Sequence, residues 1–164
     1  LVLNASVQHR RRWDEPNRAE FDEQVIVNFR SAFEMIQLAG PAMCQRGWGR
    51  ILTVGSVQQH LPSKVMLPYA ALKSALENLV RNLAKQLAPH GVTVNNLAPG
   101  IIETDRNAEA LAHPDSRAAA LRAVPLERFG TAEDCVGAAV LLCSDAGAYI
   151  TGEDLVVDGG MRLP

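Results

Sequence analysis

The sequence predicts an α/β fold in which a doubly wound parallel sheet carries helices on both faces. Short apolar segments alternate with longer segments of helical periodicity, in the order β, α, β, α, β, α, β. The apolar segments are nearly continuous, whereas strands with one face in solvent alternate polar and apolar residues. The strands are therefore expected to be buried on both faces, as in a parallel sheet covered by helices.

Four segments have the composition of buried strands. They are residues 1–3, 50–54, 92–98 and 155–157, which contain Leu, Ile or Val and are closed by polar residues, proline or glycine. Ligands of such sheets bind beyond the carboxyl ends of the strands. Functional side chains are therefore expected directly after a strand, at Asn4, at Ser56 and from Pro99 onward.

Apolar residues at helical spacing predict the helices that connect these strands. Residues 18–44 form one long helix or two in series, with a break expected near Gly40-Pro41 because proline lacks the amide proton. Residues 69–87 are rich in strong helix formers, and their apolar stripe consists of Leu72, Leu76, Leu79 and Leu83. Shorter helices are expected over residues 105–112, 115–123 and 132–143, the last capped by Thr131.

Composition excludes several classes of protein. The 164 residues carry 16 basic and 18 acidic side chains, and this near balance argues against a nucleic-acid partner. No apolar stretch approaches the ~18 residues of a membrane span, so no membrane partner and a cytoplasmic location are expected. The three cysteines show no metal-ligand spacing, so no metal site is expected.

Tyr69 and Lys73 form the first candidate for chemistry. Residues four apart lie on one face of a helix, so an ammonium group comes close to a phenol. Such an ammonium stabilises the phenolate and suits the tyrosine to general acid–base catalysis. Ser56 follows a strand thirteen residues earlier and could orient a substrate carbonyl. The pair alone is a weak signal, since it is also compatible with a polar contact on the surface.

Four motifs together carry a resemblance. The sequence resembles the short-chain dehydrogenase/reductase family over residues 1–160, in the stretches GRILTVGS (49–56), YAALK (69–73), VTVNNLAPGIIET (92–104) and YITGEDLVVDGG (149–160). Their order and spacing are far more specific than any one motif. The resemblance implies a Rossmann-like sheet, with residues 1–164 forming part of one such domain.

The resemblance implies a catalytic role for four residues. Tyr69 matches the family's acid/base, and Lys73 matches the partner that stabilises the phenolate and holds the nicotinamide ribose. Ser56 matches the residue that steadies the substrate oxygen. Asn28 matches the asparagine that holds a water in the proton relay to the lysine. Without the family, Asn28 would be interpreted as a polar residue on a helix face.

The resemblance also implies cofactor contacts on both sides of the nicotinamide dinucleotide. Asn4 and Ala5 match a turn beside the adenosine, with Ser6 in the place of the family's glycine. A second segment matches the one that meets the nicotinamide carboxamide, at Pro99, Gly100, Ile102 and Thr104. By itself this segment could equally be a turn after a strand with a threonine helix cap. The sequence leaves the choice between NAD and NADP undetermined.

One element of the family pattern does not occur in the 164 residues. The family holds the dinucleotide phosphates with a glycine-rich turn after its first strand. The chain is therefore expected to be a partial domain, lacking the family's first three strands and their helices. Such a fragment is expected to bind the cofactor very weakly and to be inactive by itself.

The activity implied is hydride transfer between a nicotinamide cofactor and a small carbonyl or alcohol substrate. Residues 105–107 and 125–130 resemble those of sugar-acid or polyol dehydrogenases such as gluconate 5-dehydrogenase, with 3-oxoacyl carrier-protein reductases next. The two long helices, residues 18–44 and 69–87, match those that pair in family homodimers and homotetramers.

Two other functions remain open on the sequence. The chain could be a non-catalytic oligomerisation or interaction module that retains a vestigial active site. It could also keep the fold and catalyse epimerisation or dehydration, as relatives with Tyr-x-x-x-Lys do, although the ending Val-Asp-Gly-Gly at residues 157–160 argues against this.

Overall fold

A four-stranded parallel sheet organises the chain, in agreement with the predicted fold class. The structure is a computed structural model and describes residues 1–15 and 17–163, with the backbone alone at residues 109 and 110. The strands are β1 (Val2–Leu3), β2 (Gly49–Val54), β3 (Val92–Pro99) and β4 (Asp154–Val157). They lie in the order β1-β2-β3-β4, and every neighbouring pair is parallel. Each predicted strand is therefore confirmed to within one residue at either end.

Six α-helices connect and cover the strands in the described part of the chain. They are α1 (Arg18–Val25), α2 (Ser31–Gln45), α3 (Leu67–Leu87), α4 (Asp105–Ala112), α5 (Pro114–Arg122) and α6 (Ala132–Cys143). Thr131 caps α6 as expected, in a reciprocal capping box with Asp134. None of the described helices is long and apolar enough to cross a membrane.

The core lies on both faces of the sheet. Ile51 and Leu52 follow one another in β2 and are both fully buried, because successive side chains of a strand point to opposite faces. On the Ile51 face, α2 and α3 contribute Ile36, Met43, Val80 and Ala84. On the Leu52 face, α6 contributes Leu142. β2 and β3 thus have the buried environment that their composition indicated, whereas Val2 of β1 is 55% exposed and β4 is only half-buried.

The helix break expected at Gly40-Pro41 is wrong. Pro41 lies inside α2, which runs on to Gln45. Proline removes one hydrogen bond, but the flanking Ile36 and Met43 are buried against the sheet, and this packing holds the turn. The discontinuity falls earlier instead, at a π-helical turn over Ile26–Arg30 that separates α1 from α2.

The buried face of α3 differs from its predicted apolar stripe. Of the four stripe leucines only Leu76 is buried; the other three are partly exposed. The most buried positions also include Tyr69, Lys73 and Glu77. Polar side chains of α3 therefore face the sheet. The spacing of apolar residues alone does not predict this, because polar residues of a helix usually face solvent.

Candidate active site

A cleft of about 680 Å³ opens at the carboxyl edge of the sheet. Its walls come from the turn after β1, the ends of β2 and β3, the start of α3, and α4. All but two of the residues expected in a site line this cleft, namely Asn4, Ser56, Tyr69, Lys73, Pro99, Gly100, Ile102 and Thr104. Asn28 and Ala5 do not line it.

Tyr69 and Lys73 lie side by side near the N-terminus of α3. Tyr69 is 5% exposed and Lys73 is 2% exposed. The Lys73 Nζ lies 5.5 Å from the centre of the Tyr69 ring and donates a hydrogen bond to the Val54 carbonyl at 2.6 Å. The ammonium is thus held between the end of β2 and the phenol ring, where it can stabilise a phenolate.

Burial changes the acidity of Lys73. Desolvation, with a smaller contribution from the positive charge of Arg106, lowers the pKa of Lys73 from 10.5 to about 8. The amine is therefore mostly protonated at neutral pH and loses its proton in mildly alkaline solution. Both forms are accessible within the pH range in which enzymes are usually assayed.

Ser56 lies directly beyond β2 and faces the cleft. Its backbone is extended, with φ −166°, and it caps a single 3₁₀ turn over Val57–Gln59. The Ser56 Oγ accepts a hydrogen bond from the Gln58 amide at 3.2 Å. A serine hydroxyl has one proton and two lone pairs. The proton and the second lone pair are therefore available for a substrate oxygen.

Asn28 occupies the π-helical turn, away from the lining of the cleft. It is 2% exposed, and its side-chain amide accepts from the Val7 amide at 2.8 Å and donates to the Val7 carbonyl at 2.7 Å. The side chain therefore ties the segment after β1 to the helix. π-Helical turns occur frequently at functional sites. A relay water would therefore have to contact Asn28 through donor or acceptor positions that these two hydrogen bonds do not use.

The segment after β3 presents its residues to the cleft. A Cβ at Gly100 would lie 2.7 Å from the Asp158 Cα, so only glycine permits this close approach of two backbones. The Ile102 carbonyl accepts from the Asn107 side chain at 2.8 Å. Thr104 precedes α4, but its side chain makes no capping hydrogen bond. The alternative interpretation of Thr104 as a side-chain helix cap therefore lacks support.

The turn after β1 contains Asn4, which lines the cleft, and Ala5, which is exposed outside it. Glu127 is the only non-glycine residue with a positive φ among those described. Ser6 therefore adopts ordinary backbone geometry and tolerates the replacement of glycine at this position.

Arg106 is a cleft residue that sequence reasoning missed. It belongs to α4 and donates to the Ser6 carbonyl at 2.5 Å and to the Ser6 Oγ at 3.2 Å. These contacts join the helix over the cleft to the turn after β1, across one hundred residues of sequence. No pattern of neighbouring residues in the sequence predicts such a contact.

A polar cluster lies next to the Ser56 turn, and it includes a histidine. The side chains of His60, Glu77 and Asp154 offer ligand atoms within 4.8 Å of one another, a set of types that could hold a metal ion. The Gln59 Nε2, however, donates to both carboxylates, and His60 contacts Asp154 directly at 2.6 Å. The three side chains therefore belong to a hydrogen-bonded network.

Comparison with known proteins decides the family. The sequence model of the family described as Enoyl-(Acyl carrier protein) reductase matches residues 1–162. The chain belongs to the short-chain dehydrogenase/reductase family. The resemblance noted in the sequence is thereby confirmed, and so is its assignment of a Rossmann-like α/β fold.

Two curated members of the short-chain dehydrogenase/reductase family show the extent of the similarity. Gluconate 5-dehydrogenase of Gluconobacter oxydans (strain 621H) is 34% identical over 163 residues, covering 99% of this chain and 64% of that protein. The 3-oxoacyl-[acyl-carrier-protein] reductase of Escherichia coli (strain K12) is 38% identical over 163 residues, covering 99% and 66%. The chain therefore spans slightly less than two thirds of the length of these relatives.

Solved structures of family members superpose closely on this chain. A gluconate 5-dehydrogenase from Burkholderia cenocepacia J2315, in complex with NADP and tartrate, has a TM-score of 0.97 at 31% identity and covers 99% of this chain and 64% of its own. A 3-oxoacyl (acyl-carrier-protein) reductase from Agrobacterium tumefaciens C58, with NADP bound, has a TM-score of 0.91 at 38% identity, with coverages of 96% and 62%.

Proposed function

We propose that residues 1–164 carry the catalytic part of an NAD(P)-dependent oxidoreductase, as a partial Rossmann domain. The observation that supports this proposal most directly is the convergence of Ser56, Tyr69 and Lys73 on one cleft. Ser56 follows β2, and Tyr69 and Lys73 lie near the start of α3, at the carboxyl edge of the sheet where ligands of such folds bind. The reaction is hydride transfer between a nicotinamide cofactor and a small carbonyl or alcohol substrate.

Each of the three side chains has a distinct part in this reaction. A bound nicotinamide supplies the hydride for reduction and accepts it in the reverse direction. Tyr69 donates its phenolic proton to the carbonyl oxygen as negative charge develops there. Ser56 donates a hydrogen bond to the same oxygen and orients it. The ammonium of Lys73, 5.5 Å from the Tyr69 ring, stabilises the phenolate that remains.

We assign the cofactor contacts to the two turns that flank the catalytic group. Asn4 and Ala5 would lie beside the adenosine, and Pro99, Gly100, Ile102 and Thr104 beside the nicotinamide. The Thr104 hydroxyl, which makes no capping hydrogen bond to α4, suits a carboxamide, which both donates and accepts hydrogen bonds. The NADP named in the two solved relatives favours a nicotinamide dinucleotide, and either NAD or NADP fits these residues.

A sugar-acid substrate is the class that the relatives favour. Gluconate 5-dehydrogenase occurs among both the curated relatives and the solved structures, one of which contains tartrate, a small hydroxy acid. The next candidate is a 3-oxoacyl thioester, from the carrier-protein reductases. Both substrates present a ketone that Tyr69 can protonate.

Carbonyl reduction by the protein expressed from its complete gene tests the function. Keto-gluconates, 3-oxoacyl thioesters and simple ketones would be incubated with NADH or NADPH, and cofactor oxidation followed by absorbance. We expect oxidation that depends on the carbonyl compound. Substrate isomerisation without net cofactor oxidation would favour an epimerase, and the absence of any turnover would favour a non-catalytic interaction module.

The 164-residue chain alone is expected to bind dinucleotides weakly. Its cleft can contact the nicotinamide half, but the glycine-rich turn that binds the phosphates in this family does not occur in its sequence. We predict a dissociation constant of about 1 mM or weaker in calorimetric titration with NADPH. Micromolar affinity would show that residues 1–164 form a sufficient cofactor site.

We also propose that the protein is a homodimer or homotetramer. Large apolar side chains are exposed along α1, the π-helical turn and α2, namely Phe21, Ile26, Phe33, Met35 and Leu38. Exposed apolar patches on helices commonly mark interfaces between subunits. This surface is also the feature that favours an interaction module as the second candidate function.

Light scattering tests this assembly. We expect a mass of two or four subunits and a lower mass for Phe33→Glu, because burying a charge in an apolar interface is costly. Leu126→Glu, at a 64% exposed residue outside these helices, is the matched control and should keep the native mass. A monomeric mass for the unmodified protein would contradict the proposal.

A further inference from the structure

A network of side chains lies directly behind the turn that carries Ser56, and Gln59 is its central member. The Gln59 Oε1 accepts a hydrogen bond from the Ser56 amide at 3.2 Å. The Gln59 Nε2 donates to the Glu77 Oε2 at 2.9 Å and to the Asp154 Oδ2 at 3.0 Å. One side chain thus joins the Ser56 turn to both α3 and β4.

The two carboxylates determine which way the Gln59 amide points. An ionised carboxylate only accepts hydrogen bonds, so it selects the NH₂ end of a neighbouring amide. With Glu77 and Asp154 on one side of Gln59, the Oε1 is left to face the Ser56 amide. A glutamine between neutral partners could flip, whereas this one has a single favourable orientation.

The carboxylates are themselves held in place. Asp154 accepts from the Asn96 Nδ2 at 2.5 Å and contacts His60, and its side chain is 8% exposed. Glu77, with a side chain 12% exposed, forms an ion pair with Arg81 on the next turn of α3. Asn96 is anchored in turn by the Thr53 hydroxyl at 2.6 Å. Fully paired polar networks of this kind restrict side chains to one arrangement.

Gly55 allows the network to approach the backbone beside Ser56. A Cβ at this position would lie 2.4 Å from the Asn96 Nδ2 and 2.5 Å from the Gln59 Oε1. Both atoms belong to side chains that hydrogen bonds hold in place, so neither can move away cheaply. The residue before Ser56 therefore has to be glycine for the network to form.

We propose that Gln59 is a positioning residue that sets the place and direction of the Ser56 hydroxyl, a role that presupposes the oxidoreductase function proposed above. Gln59 does not line the cleft. It acts through the Ser56 amide, because the extended backbone at Ser56 determines where its Oγ points into the cleft. The carboxylates of Glu77 and Asp154 supply the rigid anchor for this contact.

Gln59→Leu tests the role in the protein expressed from its complete gene. Without the contact between Gln59 and the Ser56 amide, the Ser56 hydroxyl no longer stays within hydrogen-bond distance of the substrate oxygen. We therefore expect kcat to fall about tenfold, which corresponds to a loss of 1.36 kcal/mol in transition-state stabilisation. The KM for NADPH should stay within about twofold, because Ser56 does not touch the cofactor in this proposal. Gln86→Leu, an exposed glutamine on α3, is the matched control and should keep native kcat.

A double-mutant cycle distinguishes this role from a purely structural one. If Gln59 acts through Ser56, Gln59→Leu should change kcat by less than about twofold in a Ser56→Ala background. Equal effects of Gln59→Leu in both backgrounds would overturn the positioning role. An unimpaired Ser56→Ala variant would instead contradict the proposed part of Ser56 in the reaction, so the two failures are separable.

Gln59→Glu supplies a second variant, which serves even if Gln59→Leu does not fold. The new carboxylate would face Glu77 of α3 and Asp154 of β4. Arg81 pairs with Glu77, His60 contacts Asp154, and Lys73 lies one turn before Glu77 on α3. Like charges favour protonation of this group, and a protonated carboxyl can again donate to one carboxylate while accepting from Ser56. The kcat of Gln59→Glu relative to the unmodified protein should therefore rise as the pH falls, and a pH-independent ratio would overturn the proposal.

Discussion

Tyr69→Phe is expected to lower kcat/KM for carbonyl reduction by about 10²–10⁴-fold, the usual contribution of a positioned general acid. The substitution removes only the phenolic oxygen and leaves the ring in its place, 5% exposed near the start of α3. Without the phenolic proton, the oxygen of the reduced substrate has to take a proton from water while negative charge accumulates on it. Steady-state oxidation of NADPH with the preferred ketone provides the measurement.

The chain contains one other tyrosine, which makes a matched control. Tyr149 is fully exposed and lies outside the cleft, so Tyr149→Phe should retain native kcat and KM. Thermal unfolding of both variants should stay close to that of the unmodified protein, because each keeps its aromatic ring. Native activity in Tyr69→Phe would remove Tyr69 from the mechanism.

Lys73→Met is expected to lower kcat about 100-fold or more while leaving the fold intact. Methionine retains much of the apolar length of lysine but cannot stabilise a phenolate at Tyr69 or donate to the Val54 carbonyl. Lys85→Met, at an exposed lysine in the last turn of the same helix, is the matched control and should stay active. An active Lys73→Met variant would contradict the role of the ammonium.

The same variant should change how stability depends on pH. Burial lowers the pKa of Lys73 to about 8, against 10.5 for an exposed lysine, so between these values the unfolded chain binds a proton that the native protein does not. Stability rises with pH wherever the unfolded state binds more protons. The contribution from Lys73 should therefore increase the free energy of unfolding between about pH 8 and 10.5.

The size of this effect follows from the pKa difference. A shift in the pKa of Lys73 from 10.5 to about 8 corresponds to about 3 kcal/mol, which is the free-energy cost of burying its positive charge. This cost destabilises the native protein below about pH 8 and is absent above about pH 10.5. Urea unfolding across this pH range should show the rise in the unmodified protein and in Lys85→Met. Lys73→Met should lack it, and an identical pH dependence in Lys73→Met would contradict the assignment to Lys73.

Local patterns in the sequence were sufficient for the strands and for the proximity of Tyr69 and Lys73. The strands were predictable because buried parallel strands are rich in apolar residues, and β2 and β3 were correct to within one residue. Tyr69 and Lys73 were predictable as neighbours because four residues make about one helical turn. Ser56 was a candidate because parallel strands bring the residues that follow them to one edge.

The internal details of the helices were less predictable. Proline at residue 41 indicated a break that does not occur, since packing of α2 against the sheet outweighs one lost hydrogen bond. The π-helical turn at Ile26–Arg30 had no recognisable signal. On α3, the face that meets the sheet is set by the position of the whole helix, and it buries Lys73 and Glu77 along with Leu76.

The sequence by itself determined the fold class, the family resemblance and the set of catalytic candidates, because these depend on residue types at short and regular spacings. The tertiary structure alone decided what supports those candidates. Gln59 meets Asp154 across 95 residues and Arg106 meets Ser6 across 100. Contacts over such separations arise from the pairing of strands and the placing of helices, and no spacing along the chain encodes them.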